Sequence, residues 1–125
     1  MQDAAEVLRG RRVMIVEDEM LVAMELESLL ADQGCDVIGP APTVQRALAL
    51  LDGERPDAAI LDLNLGGQTA VPVAAALNAR GIPFLLATGY GKAQSLEPEL
   101  EAAPRVDKPV SHDRLVRTLA GILAA

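Results

Sequence analysis

The chain has 125 residues, and 50% of them are hydrophobic, which suits one domain with one core. Aromatic residues make up 2% of the chain, so the core must be aliphatic and the surface lacks a platform on which single-stranded nucleic acid stacks. The formal net charge of -7 repels phosphate backbones, so direct binding of DNA or RNA is not expected.

Residues 1–12 are polar and charged, unlike a secretion signal, and no apolar run approaches the ~18–20 residues that cross a membrane. The single cysteine, Cys35, excludes an internal disulfide and fits a reducing compartment. We expect it to be a small buried side chain. The expected setting is the cytoplasm, without membrane contact.

The first half of the chain alternates between apolar runs and helical patterns. Residues 1–11 lack a clear period and are predicted to form a tail or a frayed helical turn, ahead of one folded unit over 12–125. Gly34 suits the end of the first helix, and Thr43 suits the cap of the second. The predicted strands are 13–16, 36–38 and 58–62, the predicted helices are 21–33 and 44–51, and a rigid loop is expected at 39–42.

The second half continues the alternation. A helix is predicted at 71–80, a buried strand at 83–87, and a brief strand at 105–107 before a last helix that Ser111 caps. The segment 92–104 has a poor period and is predicted to contain one short helix. Strands that alternate with helices in this way predict an α/β fold, a doubly wound parallel sheet of five strands with helices on both faces.

Polar residues follow four of the predicted strands, at the end where a parallel sheet binds ligands. Glu17 and Asp18 follow the first strand, Asp62 ends the third, Thr88 follows the fourth and Lys108 follows the fifth. The acids would repel one another unless a cation joined them, and oxygen ligands at a shallow site suit Mg²⁺. A cation, an ammonium and a hydroxyl around one carboxylate suit phosphoryl transfer to that carboxylate, so Asp62 is the predicted nucleophile.

Each of these residues also has a plain structural explanation when it is taken alone. Residues 17–19 could be a solvated acidic loop that favours the start of the next helix through the helix dipole. Thr88 could cap a helix, and Lys108 could be a solvated loop lysine. The order and spacing of the whole set favour a functional site over these separate explanations.

The motifs together point to a known family. From Arg12 onward the chain resembles the receiver domain of bacterial two-component response regulators, which implies the flavodoxin-like strand order 2-1-3-4-5. The segment 86–90 is similar to the Phe-Ala-Thr-Gly-Tyr signature of the single-domain "FAT GUY" subgroup, with Leu86 in place of Phe. The motifs that carry the resemblance are Val16-Glu17-Asp18-Glu19, the strand-ending Asp62, Ala87-Thr88-Gly89 and Lys108-Pro109.

The resemblance implies a Mg²⁺ site beside the phosphoacceptor. Asp18 and Asp62 would coordinate the ion directly, together with the backbone carbonyl of Asn64. Glu17 would assist, often through water. Asp62 would accept a phosphoryl group from a phosphohistidine on a sensor kinase or a phosphotransfer protein.

The resemblance also implies how the phosphate is held. Lys108 would pair with Asp62 and then with the phosphate, while the Thr88 hydroxyl would bond a phosphate oxygen. The backbone amides of Asn64 and Gly89 would face the phosphate. The Lys108-Pro109 peptide bond is typically cis in the family.

The sequence departs from the family in two places. Many receivers have an aromatic residue on the fifth strand that swings inward on activation, and Arg105 stands at that position. The usual Met-Pro pair after the acceptor is replaced by Leu65-Gly66. Thr88 and Tyr90 are therefore the switch candidates, in a loop that we expect to move on phosphorylation.

The implied function is signalling by phosphorylation-dependent protein contacts, and the chain is not expected to be an enzyme beyond its own phosphorylation and dephosphorylation. A histidine kinase or histidine phosphotransferase would contact the predicted helix 21–33. A downstream protein would contact the predicted fourth helix, the fifth strand and the last helix. The alternative is a receiver-like interaction domain that works without phosphorylation, for which Arg105 leaves room.

The scarcity of aromatic residues disfavours a flavin-binding protein, and Asn64 disfavours a haloacid-dehalogenase-type phosphatase, which needs an acid there.

Overall fold

The computed structural model describes residues 3–88, 98–101 and 103–124, with the backbone alone of Thr88 and Glu101. The strands in these residues are β1 (Arg12–Val16), β2 (Asp36–Ala41), β3 (Ala58–Asp62), β4 (Asn64–Leu65), β5 (Gln68–Thr69), β6 (Phe84–Thr88) and β7 (Arg105–Asp107). The helices are α1 (Ala4–Leu8), α2 (Met20–Asp32), α3 (Val44–Gly53), α4 (Val71–Ala79), α5 (Pro98–Glu101) and α6 (His112–Ala124). Each described helix is too short or too polar to cross a membrane.

Five of the strands form one parallel sheet in the order β2-β1-β3-β6-β7. Counted within this sheet alone the order is 2-1-3-4-5, so the predicted doubly wound, flavodoxin-like fold is confirmed. Every residue of β3 is buried, which explains why this central strand is apolar up to its last residue. The strand order reverses between β1 and β3, so a ligand crevice is expected at their carboxyl ends.

Two hydrophobic clusters pack on opposite faces of the sheet. Leu61 belongs to the cluster under α3 and α4, whereas Ile60 belongs to the cluster under α2 and α6. Leu86 and Leu85 divide between the same two clusters. Neighbouring residues separate in this way because successive side chains of a strand point to opposite faces. Both faces of the sheet are therefore covered, as the sequence predicts.

The helix α1 lies in the segment that was predicted to be a tail or a frayed helical turn. Asp3 caps this helix by accepting a hydrogen bond from the Glu6 N–H at 3.0 Å. Val7 and Leu8 are buried in the cluster that includes α6, and the Leu8 carbonyl accepts a contact from the Cys35 thiol at 3.4 Å. Burial, and then the charge of Asp36, raise the pKa of Cys35. The cysteine is therefore a buried side chain, as expected.

The strand β2 is longer than predicted, because Gly39 and Pro40 belong to the strand and not to a loop. β2 lies at the edge of the sheet, where a proline without an N–H is tolerated. The pairing with β1 shifts register between Met14 and Val16, which accommodates the irregular end of the strand.

Two further elements lie outside the parallel sheet: the helix α5 and the hairpin of β4 and β5. The short helix expected within 92–104 corresponds to α5, which begins at Pro98, a residue suited to a first helical position; residues 92–97 and 102 lie outside the described residues. The hairpin of β4 and β5 was not predicted. It turns through Gly66 and Gly67, whose φ angles of 59° and 88° favour glycine.

Candidate functional site

The strand β3 brings Asp62 to the carboxyl end of the sheet, beside the point where the strand order reverses. Asp62 is 7% exposed, and its Oδ1 accepts a long hydrogen bond from the Asn64 N–H at 3.4 Å. Burial, and then the charge of Glu17, raise the pKa of Asp62 to about 7, although the nearby Lys108 lowers it. A buried acid with a raised pKa at this end of a parallel sheet is a candidate for a functional residue.

The loop after β1 places Glu17 and Asp18 next to Asp62, and Glu19 beside Lys108. Glu17 is 2% exposed, and its N–H donates to the Ala41 carbonyl at 3.0 Å, which extends the pairing with β2. Its Oε2 accepts from the Glu19 N–H at 3.1 Å, just before α2 begins. Asp18 is exposed, and its Oδ2 accepts from the Gly66 N–H at 2.9 Å. The loop is thus fixed by a hydrogen bond between two of its own residues and by a hydrogen bond from the hairpin.

Lys108 follows β7 and brings a positive charge into the site. Its Nζ lies 2.8 Å from Glu17 Oε1, 3.4 Å from Glu19 Oε1 and 3.5 Å from Asp62 Oδ2. Burial lowers the pKa of Lys108, but the contact with Glu17 and the charges of the three acids raise it above its ordinary value. The amine is therefore held as an ammonium. The Lys108-Pro109 peptide bond is cis, as the resemblance implies.

A cation fits among the acids of this site. Glu17, Asp18 and Asp62 each offer one carboxylate oxygen, and these atoms lie within 4.8 Å of one another. The buried Oε1 of Glu17 lacks a well-aligned hydrogen bond among the described residues, so its 2.8 Å contact with Lys108 is an ion pair without good hydrogen-bond angles. One ammonium does not balance three carboxylates, and oxygen ligands are those that Mg²⁺ prefers. The residues therefore fit the ion that the resemblance implies.

The structure brings most of the predicted site residues together. Glu17, Asp18, Asp62 and Lys108 meet at one end of the sheet, and Asn64 adjoins Asp62. The backbone of Thr88 ends β6 opposite Asp107, while its side chain and the whole of Gly89 and Tyr90 lie outside the described residues.

Two residues at the site belong to stretches that the sequence analysis names, but they were given no individual role there. Glu19 contacts Lys108 at 3.4 Å, and Gly66 donates to Asp18. Two glycines in succession between short extended segments are a known hairpin signal, so the turn at Gly66-Gly67 was open to prediction. The contact between this turn and Asp18 was not, because the two residues are 48 positions apart.

The model of the family "response regulator receiver domain" matches residues 13–120. The chain belongs to this family. The match begins with the second residue of β1 and ends within α6, so it includes the whole parallel sheet except Arg12.

Three proteins illustrate how this receiver domain relates to others. It is 26% identical to the transcriptional regulatory protein PdtaR of Mycobacterium tuberculosis, a match that covers 96% of this chain and 66% of PdtaR. It is 33% identical to the sensory transduction protein LytT of Bacillus cereus, with 86% of this chain and 45% of LytT covered. It is 41% identical to SdrG from Sphingomonas melonis Fr1, whose solution structure superimposes with a TM-score of 0.79. That match covers 98% of this chain and 99% of SdrG. The chain thus spans about two thirds of the length of PdtaR and less than half of that of LytT.

Proposed function

We propose that Asp62 accepts a phosphoryl group from a phosphohistidine of a sensor kinase or phosphotransfer protein, and that phosphorylation then controls a protein contact. The observation that most supports this proposal is the position of Asp62 Oδ2, 3.5 Å from the Lys108 ammonium and within the acidic cluster. We assign the function to a receiver unit over 12–125, with residues 1–11 as an N-terminal addition. Its catalysis is confined to its own phosphorylation and dephosphorylation.

In the proposed reaction, a carboxylate oxygen of Asp62 attacks phosphorus. A new O–P bond forms, the P–N bond to the donor histidine breaks, and its electron pair returns to the imidazole nitrogen. The Lys108 ammonium lies 3.5 Å from the acceptor oxygen, so it can neutralise the negative charge that develops on the phosphoryl oxygens. Asp18, Asp62 and the Asn64 carbonyl would hold Mg²⁺, with Glu17 assisting. When bound, Mg²⁺ supplies positive charge beside the phosphoryl oxygens.

The phosphate contacts and the switch rest on the resemblance. We propose that the Thr88 hydroxyl and the backbone amides of Asn64 and Gly89 bind phosphate oxygens. Thr88 and Tyr90 are the proposed mobile residues, because Arg105 replaces the aromatic residue on β7 that many receivers use. On the same resemblance, we propose that the chain belongs to the FAT GUY subgroup. The cytoplasmic location stays a prediction.

A mass measurement tests the phosphoacceptor. Incubation with Mg²⁺ and acetyl phosphate should add one phosphoryl group, and Asp62→Asn should abolish the gain. Asp52→Asn is the matched control because Asp52 is an 81% exposed acid on α3, and this variant should still be phosphorylated. A gain that persists in Asp62→Asn refutes the assignment. Absence of any gain, also with a cognate phospho-kinase as donor, supports the interaction domain that works without phosphorylation.

The kinase contact is proposed on α2. Met20, Leu21 and Met24 are large apolar side chains that are 74%, 80% and 53% exposed. Met20 and Met24 line a groove of ≈ 370 Å³ that Glu17 and Asp18 also line, next to the acceptor. Leu21→Asp should lower phosphotransfer from the kinase about tenfold and leave phosphorylation by acetyl phosphate unchanged, because it would bury an unpaired charge in the proposed apolar contact. Equal effects on both donors would contradict this contact. The downstream partner is proposed on α5, β7 and α6.

A further inference from the structure

We propose that the β4–β5 hairpin positions the metal-binding carboxylate of Asp18 through the backbone N–H of Gly66. The Gly66 N–H donates to Asp18 Oδ2 at 2.9 Å, which leaves the other carboxylate oxygen for a cation. Asp18 contributes one of the three oxygens that lie within 4.8 Å of one another. The inference rests on the proposed Mg²⁺ site and adds a positioning residue to it.

The turn of the hairpin fixes the direction of this N–H. Asn64 pairs with Thr69 and Leu65 with Gln68, so two residues, Gly66 and Gly67, make the turn. The Asn64 side-chain Oδ1 accepts from the Gly67 N–H at 3.0 Å. A Cβ at Gly66 or Gly67 would meet nothing within 4 Å, so positive φ, not space, is what favours glycine here.

The hairpin is attached to the hydrophobic core through one of its strand residues. Leu65 is 2% exposed and belongs to the cluster under α3 and α4. At the base of the hairpin the Ala70 N–H donates to the Leu63 carbonyl at 3.0 Å. The position of the Gly66 N–H is therefore set by the same core that sets the end of β3 and Asp62.

Asp18 needs such a partner because its side chain is exposed. Among the described residues, the Gly66 N–H is the hydrogen-bond donor that the Asp18 carboxylate contacts. A charge-assisted hydrogen bond from a fixed backbone group orders the carboxylate before a cation binds. Pre-ordering of a ligand removes part of the entropic cost of binding, so the hairpin should increase Mg²⁺ affinity.

Two variants of Gly66 test this role. Gly66→Val disfavours positive φ and should open the turn, whereas Gly66→Asn tolerates it and is the matched control. Titration of the unphosphorylated proteins with Mg²⁺, followed by amide chemical shifts, should give a dissociation constant about tenfold higher for Gly66→Val and within about twofold of the original chain for Gly66→Asn. Saturating Mg²⁺ should restore the rate of phosphorylation of Gly66→Val. Equal dissociation constants in a folded Gly66→Val with an opened turn would overturn the proposal.

A second measurement needs no change in the hairpin. Hydrogen exchange of the Gly66 amide should become faster in Asp18→Ala than in the original chain, and equal exchange would also overturn the proposal. The outcomes separate the hairpin role from the proposed function. If the original chain does not bind Mg²⁺, the proposed metal site is wrong. If it binds Mg²⁺ and a folded Gly66→Val with an opened turn binds equally well, the hairpin role alone is wrong.

Discussion

Replacement of Asp62 by asparagine should stabilise the fold in the absence of Mg²⁺, and the gain should grow with pH. In the folded chain, burial and then the charge of Glu17 raise the pKa of Asp62 from its ordinary 3.8 to about 7. Between these two values the folded state holds a proton that the unfolded state has released, so the free energy of unfolding falls as pH rises. The loss is complete above the folded-state pKa, and asparagine has no such proton to lose.

The structure sets the size of this effect. The gap between 3.8 and about 7 corresponds to about 4 kcal/mol at about 1.36 kcal/mol per pH unit, which is an upper limit because a buried site relaxes around a new charge. Part of this change in the free energy of unfolding occurs at pH values too low for convenient study of an acidic protein. We therefore expect the gain in Asp62→Asn to rise by about 1–2 kcal/mol between about pH 5.5 and pH 7.5, and then to level off.

Urea unfolding in the presence of EDTA, at several pH values from about 5.5 to 8.5, measures the gain. Asp52→Asn removes the same charge from an exposed position, and its effect should stay within about 0.5 kcal/mol at every pH. Mg²⁺ should stabilise the original chain more than Asp62→Asn, since a ligand that binds the folded state stabilises it. A gain that is flat, or that shrinks as pH rises, would refute the electrostatic account of the site.

Three further predictions concern other parts of the chain. Lys108→Met should slow phosphorylation by acetyl phosphate about tenfold or more at saturating Mg²⁺, because the ammonium 3.5 Å from Asp62 is lost; an unchanged rate would exclude a catalytic role for Lys108. Leu8→Ala should lower the free energy of unfolding by about 2–4 kcal/mol, measured with urea, since the side chain is 0% exposed; a negligible loss would mean that α1 adds nothing to the core. Thr43→Ala should cost about 1 kcal/mol and Thr43→Ser much less, because the hydroxyl accepts the Arg46 N–H at 3.1 Å; equal losses would argue against the cap.

The parallel sheet could be predicted from the sequence because its inner strands are buried on both faces. Among the inner strands, the predicted 58–62 has the bounds of β3, 13–16 begins one residue after β1 does, and 83–87 begins and ends one residue before β6 does. The short edge strand 105–107 also has the bounds of β7, although only its middle residue is buried. Inner strands of this kind are continuous apolar runs, a signal that does not depend on distant partners. Polar residues at their carboxyl ends then meet because the topology brings these ends together.

The remaining elements depend on contacts that a local pattern does not show. α1 is five residues long, too short to be stable alone, and it is helical because Val7 and Leu8 pack against α6. The end of β2 follows the shift in register against β1 rather than a strand pattern of its own. The strands of the β4–β5 hairpin have two residues each, below the length at which alternation is visible.

The electrostatics of the site explain why its residues are costly to the fold and how they would serve the proposed switch. Glu17 and Asp62 are both buried acids, and their mutual repulsion is one of the causes of the raised pKa of Asp62. Lys108 offsets part of this repulsion by lying within 3.5 Å of both acids. A fold selected for stability alone would bury apolar residues at these positions, since replacement of buried ion pairs by apolar groups is often stabilising. The acids therefore leave a deficit of positive charge at one end of the sheet, which a cation would reduce, and the addition of a phosphoryl group to Asp62 would change the charge that Lys108 faces.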